Sequence, residues 1–188
     1  MLTFNSVADI YDSLDRARAR LERTLDGLSA DEANSRPSPD RWTIAEIVEH
    51  LSLVEGQISR LMSKILDKVE AGGGLALGGS APPAPLVDFA PFAERAEEKF
   101  NAPETARPKG GVGVEDSLAR LRESSEAIRL LRPRVESLDL SATRLPHPAF
   151  GQLNFYQWLA VLGIHEERHR RQIEALKESI NAAAAAQD

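Results

Sequence analysis

The run GIHEERHRRQIEALK, residues 163–177, decides how this chain is read. It puts His165 and His169 one helical turn apart in a charged, helix-forming segment, and it also spells His-Glu-x-x-His, the string of the zinc proteases. On a helical wheel of about 100° per residue with His165 at zero, Trp158 and Leu176 fall near 20°, His169 near 40°, Leu162 near 60° and Ile173 near 80°. Gln172 lies at the edge of that stripe, and Glu167, Arg170, Arg171, Glu174 and Lys177 take the opposite side. Both histidines are therefore expected to face a core.

Working outward, the rest of the chain supplies three more long helices. Ser6 caps a first one with apolar positions Val7, Ile10, Leu14, Leu21, Leu25 and Leu28, stopping near Gly27–Ser29. SADEANSRPSPDRW reads as a loop because of Pro37 and Pro39. Thr43 and Glu46 form a capping box that opens a second helix over 44–70, with Ile44, Ile47, Val48, Leu51, Val54, Ile58, Leu61, Met62, Ile65, Leu66 and Val69 as its stripe. A third spans about 115–132 with Leu118, Leu121, Ser125, Ile128 and Val135 at heptad-like spacing, and Pro133 is expected to kink or end it. The fourth runs from about Asn154 to Ile180, and residues 181–188 read as a fraying tail.

Residues 72–113 differ in kind. GGGLALGGSAPPAP and the later GGVG are turn-rich, only PFAERAEEKF suits a short helix, and the whole reads as a crossover connection with a flexible middle. No strand is expected. The pattern predicts an all-α fold, a four-helix bundle with a long connection between its second and third helices, in one domain covering 1–188.

Composition narrows the function. A net charge of −6 argues against a partner made of duplex nucleic acid, which wants a basic face. The absence of cysteine removes disulfides, thiolate ligands and a cysteine nucleophile. The N-terminal residues lack a signal-peptide pattern and no apolar run suggests a membrane span, so a cytoplasmic, soluble protein is expected.

A buried imidazole needs partners for its nitrogens, and an unpaired buried polar group costs about 1–3 kcal/mol. Two rings at i and i+4 can converge on one divalent cation, and neutral imidazole suits zinc, nickel, copper or iron. A third ligand from another helix completes a mononuclear site. His50, flanking the stripe of the second helix, is the candidate, its alternative being a hydrogen-bonded core histidine. His147, in the turn LPHPAFGQLNF, reads as a loop residue or a support for the ligands. The protease reading fails on its remaining requirements. The extended spacing would want Gly at 172 and His at 175, where the chain has Gln172 and Ala175, and Glu166 projects about 100° away from His165.

RPSPDRWTIAEIVEHL, KFNAPETARP and HPAFGQLNFYQWLAVLGIHEERHRRQI, in that order, resemble the DinB-like superfamily of metal-binding four-helix bundles. The resemblance implies up-down-down-up topology and one divalent metal, commonly nickel or zinc, on His50, His165 and His169, with Gln172 matching the family's glutamine one turn further on. It also implies a homodimer. Similar proteins include metal-dependent hydrolases and transferases or isomerases that use a low-molecular-weight thiol such as bacillithiol or mycothiol. Two readings follow: a metalloenzyme activating water or a thiol against a small-molecule substrate, or a non-catalytic bundle stabilised by its ion. Arg168, Arg41 and the loop around Lys109 are candidates for a polar mouth near the metal.

Overall fold

The computed structural model describes residues 3–74, 77, 84–88 and 101–185. Its helices are α1 (Val7–Leu25), α2 (Ala30–Asn34), α3 (Ile44–Ala71), α4 (Val114–Ser137) and α5 (Phe155–Ala185). Helices α1 and α3 begin where the sequence places caps. Ser6 and Asp9 exchange side-chain and backbone hydrogen bonds at the start of α1, and Thr43 and Glu46 do the same for α3, satisfying amides that a helix start leaves open. At α5 the Asn154 side chain accepts from the Gln157 amide, and the Gln157 side chain accepts from the Asn154 amide, both at 2.8 Å.

Side-chain pairs fix the direction of each helix. Arg18 meets Glu166, Arg20 meets Glu167, and the Lys177 ammonium donates to the Thr24 carbonyl, so α1 and α5 run parallel. Ser124 donates to Glu55 while Arg134 pairs with Asp67 and Glu70, so α3 and α4 are parallel too. Arg129 meets Asp15 and Arg122 meets Glu22, which makes α4 antiparallel to α1. The bundle is up-down-down-up. Parallel neighbours cannot be joined by a tight turn, and the 28 residues of α3 span about 42 Å, so the chain must return that distance before α4 begins. That requirement explains the long loop region between α3 and α4.

Two apolar clusters make up the core. One contains Ile10, Tyr11, Met62, Leu66, Ile128 and Leu159, and the other contains Leu21, Ile44, Val48, Leu51, Leu121 and Ile173. On each of the four long helices a polar residue lies between the two groups: Arg18, Glu55, Ser124 with Ser125, and the segment from His165 to His169. The bundle thus carries a polar layer at mid-height.

Several expectations need correcting. The segment after α1 is not all loop, because Ser29 and Glu32 build a capping box that starts α2. Pro133 does not end α4, which continues to Ser137 because Val135 and Leu138 are buried and hold the last turn. Strands do occur. β1 (Thr3–Phe4) pairs antiparallel with β2 (Val87–Asp88), and β3 (Arg144–His147) with β4 (Gly151–Asn154), the latter hairpin linking α4 to α5. Gly151 gives it a left-handed position at φ +73°, and buried Leu153 ties it to the core. The short helix expected in PFAERAEEKF and the last three residues of the tail lie outside the described residues, while α5 itself extends to Ala185.

Candidate metal centre

Helix α3 projects His50, and α5 projects His165 and His169, into the polar layer. One ring nitrogen from each lies within 4.8 Å of the others, the group among the described residues with the spacing to hold a metal ion. Ring centroids are 5.1 Å apart for His50 and His165, 4.9 Å for His50 and His169, and 4.6 Å for His165 and His169.

Hydrogen bonds on the far side of two rings set the tautomers. A carbonyl oxygen can only accept, so the 2.6 Å contact from His50 Nδ1 to the Ala106 carbonyl puts the proton on Nδ1 and leaves a lone pair on Nε2. His169 Nδ1 likewise donates to Gln172 Oε1 at 3.0 Å, leaving its Nε2 free to ligate. His50 Nε2 and His165 Nε2 are 3.2 Å apart. Two nitrogens sharing a tetrahedral ion at about 2.0–2.1 Å each stand about 3.3 Å apart. The donor set and its spacing fit a divalent transition ion.

Electrostatics agree with the ligand role. Burial pushes the His50 imidazolium below its ordinary pKa against the raising effect of the Ala106 hydrogen bond. Burial, then the neighbouring His50, lowers His169 to about 4. His165 lies well below its usual range, through burial first and then His169, His50 and Arg168. All three rings are neutral at neutral pH, the form that binds metal. His50 is 4% exposed and His169 9%, whereas His165 is only partly buried. The wheel placed both α5 histidines inward, and His169 is the more deeply buried of the two.

His147 does not join the ligand set. Its Nδ1 accepts from the amides of Ala149 and Phe150 at 3.1 and 3.3 Å, and its ring packs on Phe150 and Trp158 at 4.8 and 4.7 Å. It is close enough to the cluster for its charge to weigh on His165, and burial lowers its own pKa to about 4. Glu166, the would-be protease base, is buried and turned toward α1, where both its oxygens are taken by Arg18. Arg41, Lys109 and Arg168 are all exposed, and the charge of Arg168 bears on both His165 and His169.

Sequence reasoning missed the supports of this centre. Arg18 and Glu55 complete the polar layer, and Trp42 packs its ring 4.9 Å from His50. Ala106 and Glu49 bind the returning connection to α3. A signal for Arg18 existed, since it falls on the inward face between Leu14 and Leu21; Glu55 follows Val54 in an unbroken stripe and left none.

Comparison with known proteins is consistent with this arrangement. The uncharacterized protein YuaE of Bacillus subtilis (strain 168) is 28% identical over 174 residues, covering 88% of this chain and 96% of that protein. The crystal structure of TT2238, a four-helix bundle protein, superposes with a TM-score of 0.57 at 19% identity, over 89% of this chain and 96% of that one, a likeness of fold. No helix among the described residues is long and apolar enough to cross a membrane. The sequence profile of the DinB superfamily matches residues 13–173, and the chain belongs to that family.

Proposed function

We propose that the protein is a metal-dependent enzyme that activates a water molecule or a low-molecular-weight thiol against a small-molecule electrophile, working as a homodimer. The observation that carries this reading is the convergence of three neutral imidazoles within ligating distance of one another. His50, His165 and His169 would hold one divalent ion, zinc or nickel, and when bound it supplies Lewis acidity that lowers the pKa of a water or thiol beside it. A three-histidine set leaves a coordination position open, which a closed structural site does not. Ala106 and Gln172 keep two ligands in the metal-binding tautomer. The chain has no cysteine, so a thiol nucleophile has to be a cosubstrate.

A second reading rests on one observation: the centre ties α3 to α5 where the apolar core is interrupted, so an ion there could serve mainly to hold the bundle together. Chelation separates the two. Zinc and nickel stoichiometry is measured first, and then the chelated protein is followed by circular dichroism and assayed with low-molecular-weight thiols and with ester or amide substrates. The enzyme reading expects a folded, inactive apoprotein whose activity returns with metal. Unfolding on chelation, with no turnover by the reloaded protein, favours the structural role.

A further inference from the structure

The connection that precedes α4 comes back along α3 in the opposite direction and is fastened to it at three levels. The Gln57 side-chain amide donates to the Thr105 carbonyl at 2.8 Å. One level up, His50 Nδ1–H donates to the Ala106 carbonyl at 2.6 Å. Beyond that, the consecutive amides of Lys109 and Gly110 donate to the two carboxylate oxygens of Glu49, each at 3.1 Å. Glu49 is 4% exposed and Ala106 3%; the His50 contact is buried, the two Glu49 contacts half-buried and the Gln57 contact exposed. Gly110 and Gly111 have φ of +77° and +78°, a conformation that side-chain-bearing residues rarely adopt, and the chain turns there toward the start of α4.

We propose that Glu49 is a positioning residue that orients His50 through this strap. Its carboxylate is engaged by strap amides, while its neighbour in sequence offers Nε2 to the metal centre. The Ala106 carbonyl that sets the His50 tautomer belongs to the strap, between the Gln57 contact at Thr105 and the Glu49 contacts at Lys109 and Gly110. Holding Lys109 and Gly110 therefore holds Ala106, and holding Ala106 keeps the lone pair of His50 on Nε2. Strap docking and metal affinity are then linked, and linkage works in both directions: a bound ion also tightens the strap. The metal half of this inference rests on the reading of the three histidines as a metal centre, whereas the tautomer half does not.

The test compares the full-length protein with Glu49→Ala and Glu49→Gln, each first shown to be folded by circular dichroism. In metal-free protein at neutral pH, long-range proton–nitrogen NMR reads the His50 tautomer, and hydrogen exchange reads the amides of residues 104–111. The parent is expected to show the Nδ1–H form of His50 and slow exchange at Lys109 and Gly110. Glu49→Ala should accelerate that exchange and mix the tautomers; Glu49→Gln, which keeps one acceptor oxygen, should fall between. Zinc affinity by competition with a chromophoric chelator should drop about 10–100-fold in Glu49→Ala at unchanged stoichiometry. If Glu49→Ala does not fold, Gly110→Val, which strains the left-handed backbone, takes its place with the same expectations. An unchanged His50 tautomer in a variant with a loosened strap overturns the proposal, as does parental zinc affinity in that variant. A parent that binds no zinc or nickel sinks the metal-centre reading instead, and the tautomer measurement still decides the role of Glu49.

Discussion

The guanidinium of Arg18 grips the carboxylate of Glu166 through Nε, at 3.2 and 3.3 Å to its two oxygens, and through Nη2 at 2.8 Å. The same guanidinium donates to Glu55 at 2.7 Å and to Ser125 at 2.8 Å, so one cation from α1 ties together α3, α4 and α5. Two carboxylates share that cation. Burial raises the pKa of Glu166, and only the Arg18 contacts oppose it. Taking away the cation strands both acids, and breaking a buried pair in this way costs about 3–5 kcal/mol. Arg18→Met should lose that much in urea denaturation of the chelated protein, and the triple variant Arg18→Met/Glu55→Gln/Glu166→Gln should recover most of it. A loss under about 1 kcal/mol for Arg18→Met would show the network to be far more hydrated than its burial implies.

The hydrogen bond from His169 to Gln172 leads to a prediction at the metal centre. Leucine at 172 keeps the volume and removes the acceptor, so His169 Nδ1–H loses its partner and the ring is free to turn. Gln172→Leu should bind one zinc about 10–100-fold more weakly than the parent. His50→Ala, His165→Ala and His169→Ala should each lose stoichiometric binding, while His147→Ala and Glu166→Gln keep it. Competition titration with a chelator reads all of these. Full affinity in Gln172→Leu would mean that the α5 backbone alone aims His169.

What the sequence made legible, and what it hid, follows from the range of the interactions. The four long helices are written locally, in stripes of Leu, Ile and Val and in the Ser6 and Thr43 capping boxes. The inward turn of His169 and the reach of His50 follow from the same periodicity. The β3–β4 hairpin was not legible, because Pro146 and Pro148 mask a short alternation whose anchors are distant: Leu153 in the core, and Trp158 Nε1 on the Leu145 carbonyl at 3.2 Å. Nor was the union of Arg18 with Glu166, 148 positions away, since a charge within an apolar stripe names no partner. The strap shows the same limit. Nothing around Ala106 marks its carbonyl as the partner of a histidine 56 residues earlier.

Pro133 offers a stability gain. It is exposed inside α4, where proline lacks the N–H that the helix would bond to residue 129, and its ring crowds the preceding turn. The last turn survives because Val135 and Leu138 are buried. Pro133→Ala restores the donor at little packing cost. It should raise stability by about 1–3 kcal/mol, less whatever the proline contributes by restricting the unfolded chain. A thermal melt of the chelated protein checks this, and no gain would mean that the break at 133 is needed for the approach of α4 to the β3–β4 hairpin.

Acid should undo the metal-free protein in a defined window. A histidine whose folded pKa is depressed binds fewer protons when folded than when unfolded, so its contribution to stability is present above the unfolded value and lost as pH falls through the folded one. For His169 that window runs from the ordinary 6.5 down to about 4, a difference worth roughly 3 kcal/mol. His50 and His165 shift in the same direction and add to it. Below about 4.5 Glu167 joins in, since Arg170 and Arg20 hold its carboxyl down at about 2. His147, lowered to about 4 as well, adds to the same loss, and Glu166, raised by burial, works the other way as one group against four imidazoles. Urea midpoints of the chelated protein should therefore fall steadily between pH 6.5 and 4, and His169→Phe, which fills the space without titrating, should flatten the slope. Zinc-loaded protein should hold its midpoint to lower pH and then lose metal and stability together, as protons displace the ion from the same nitrogens. A metal-free midpoint that stays level across this interval would mean that the four rings are far better hydrated than their packing indicates.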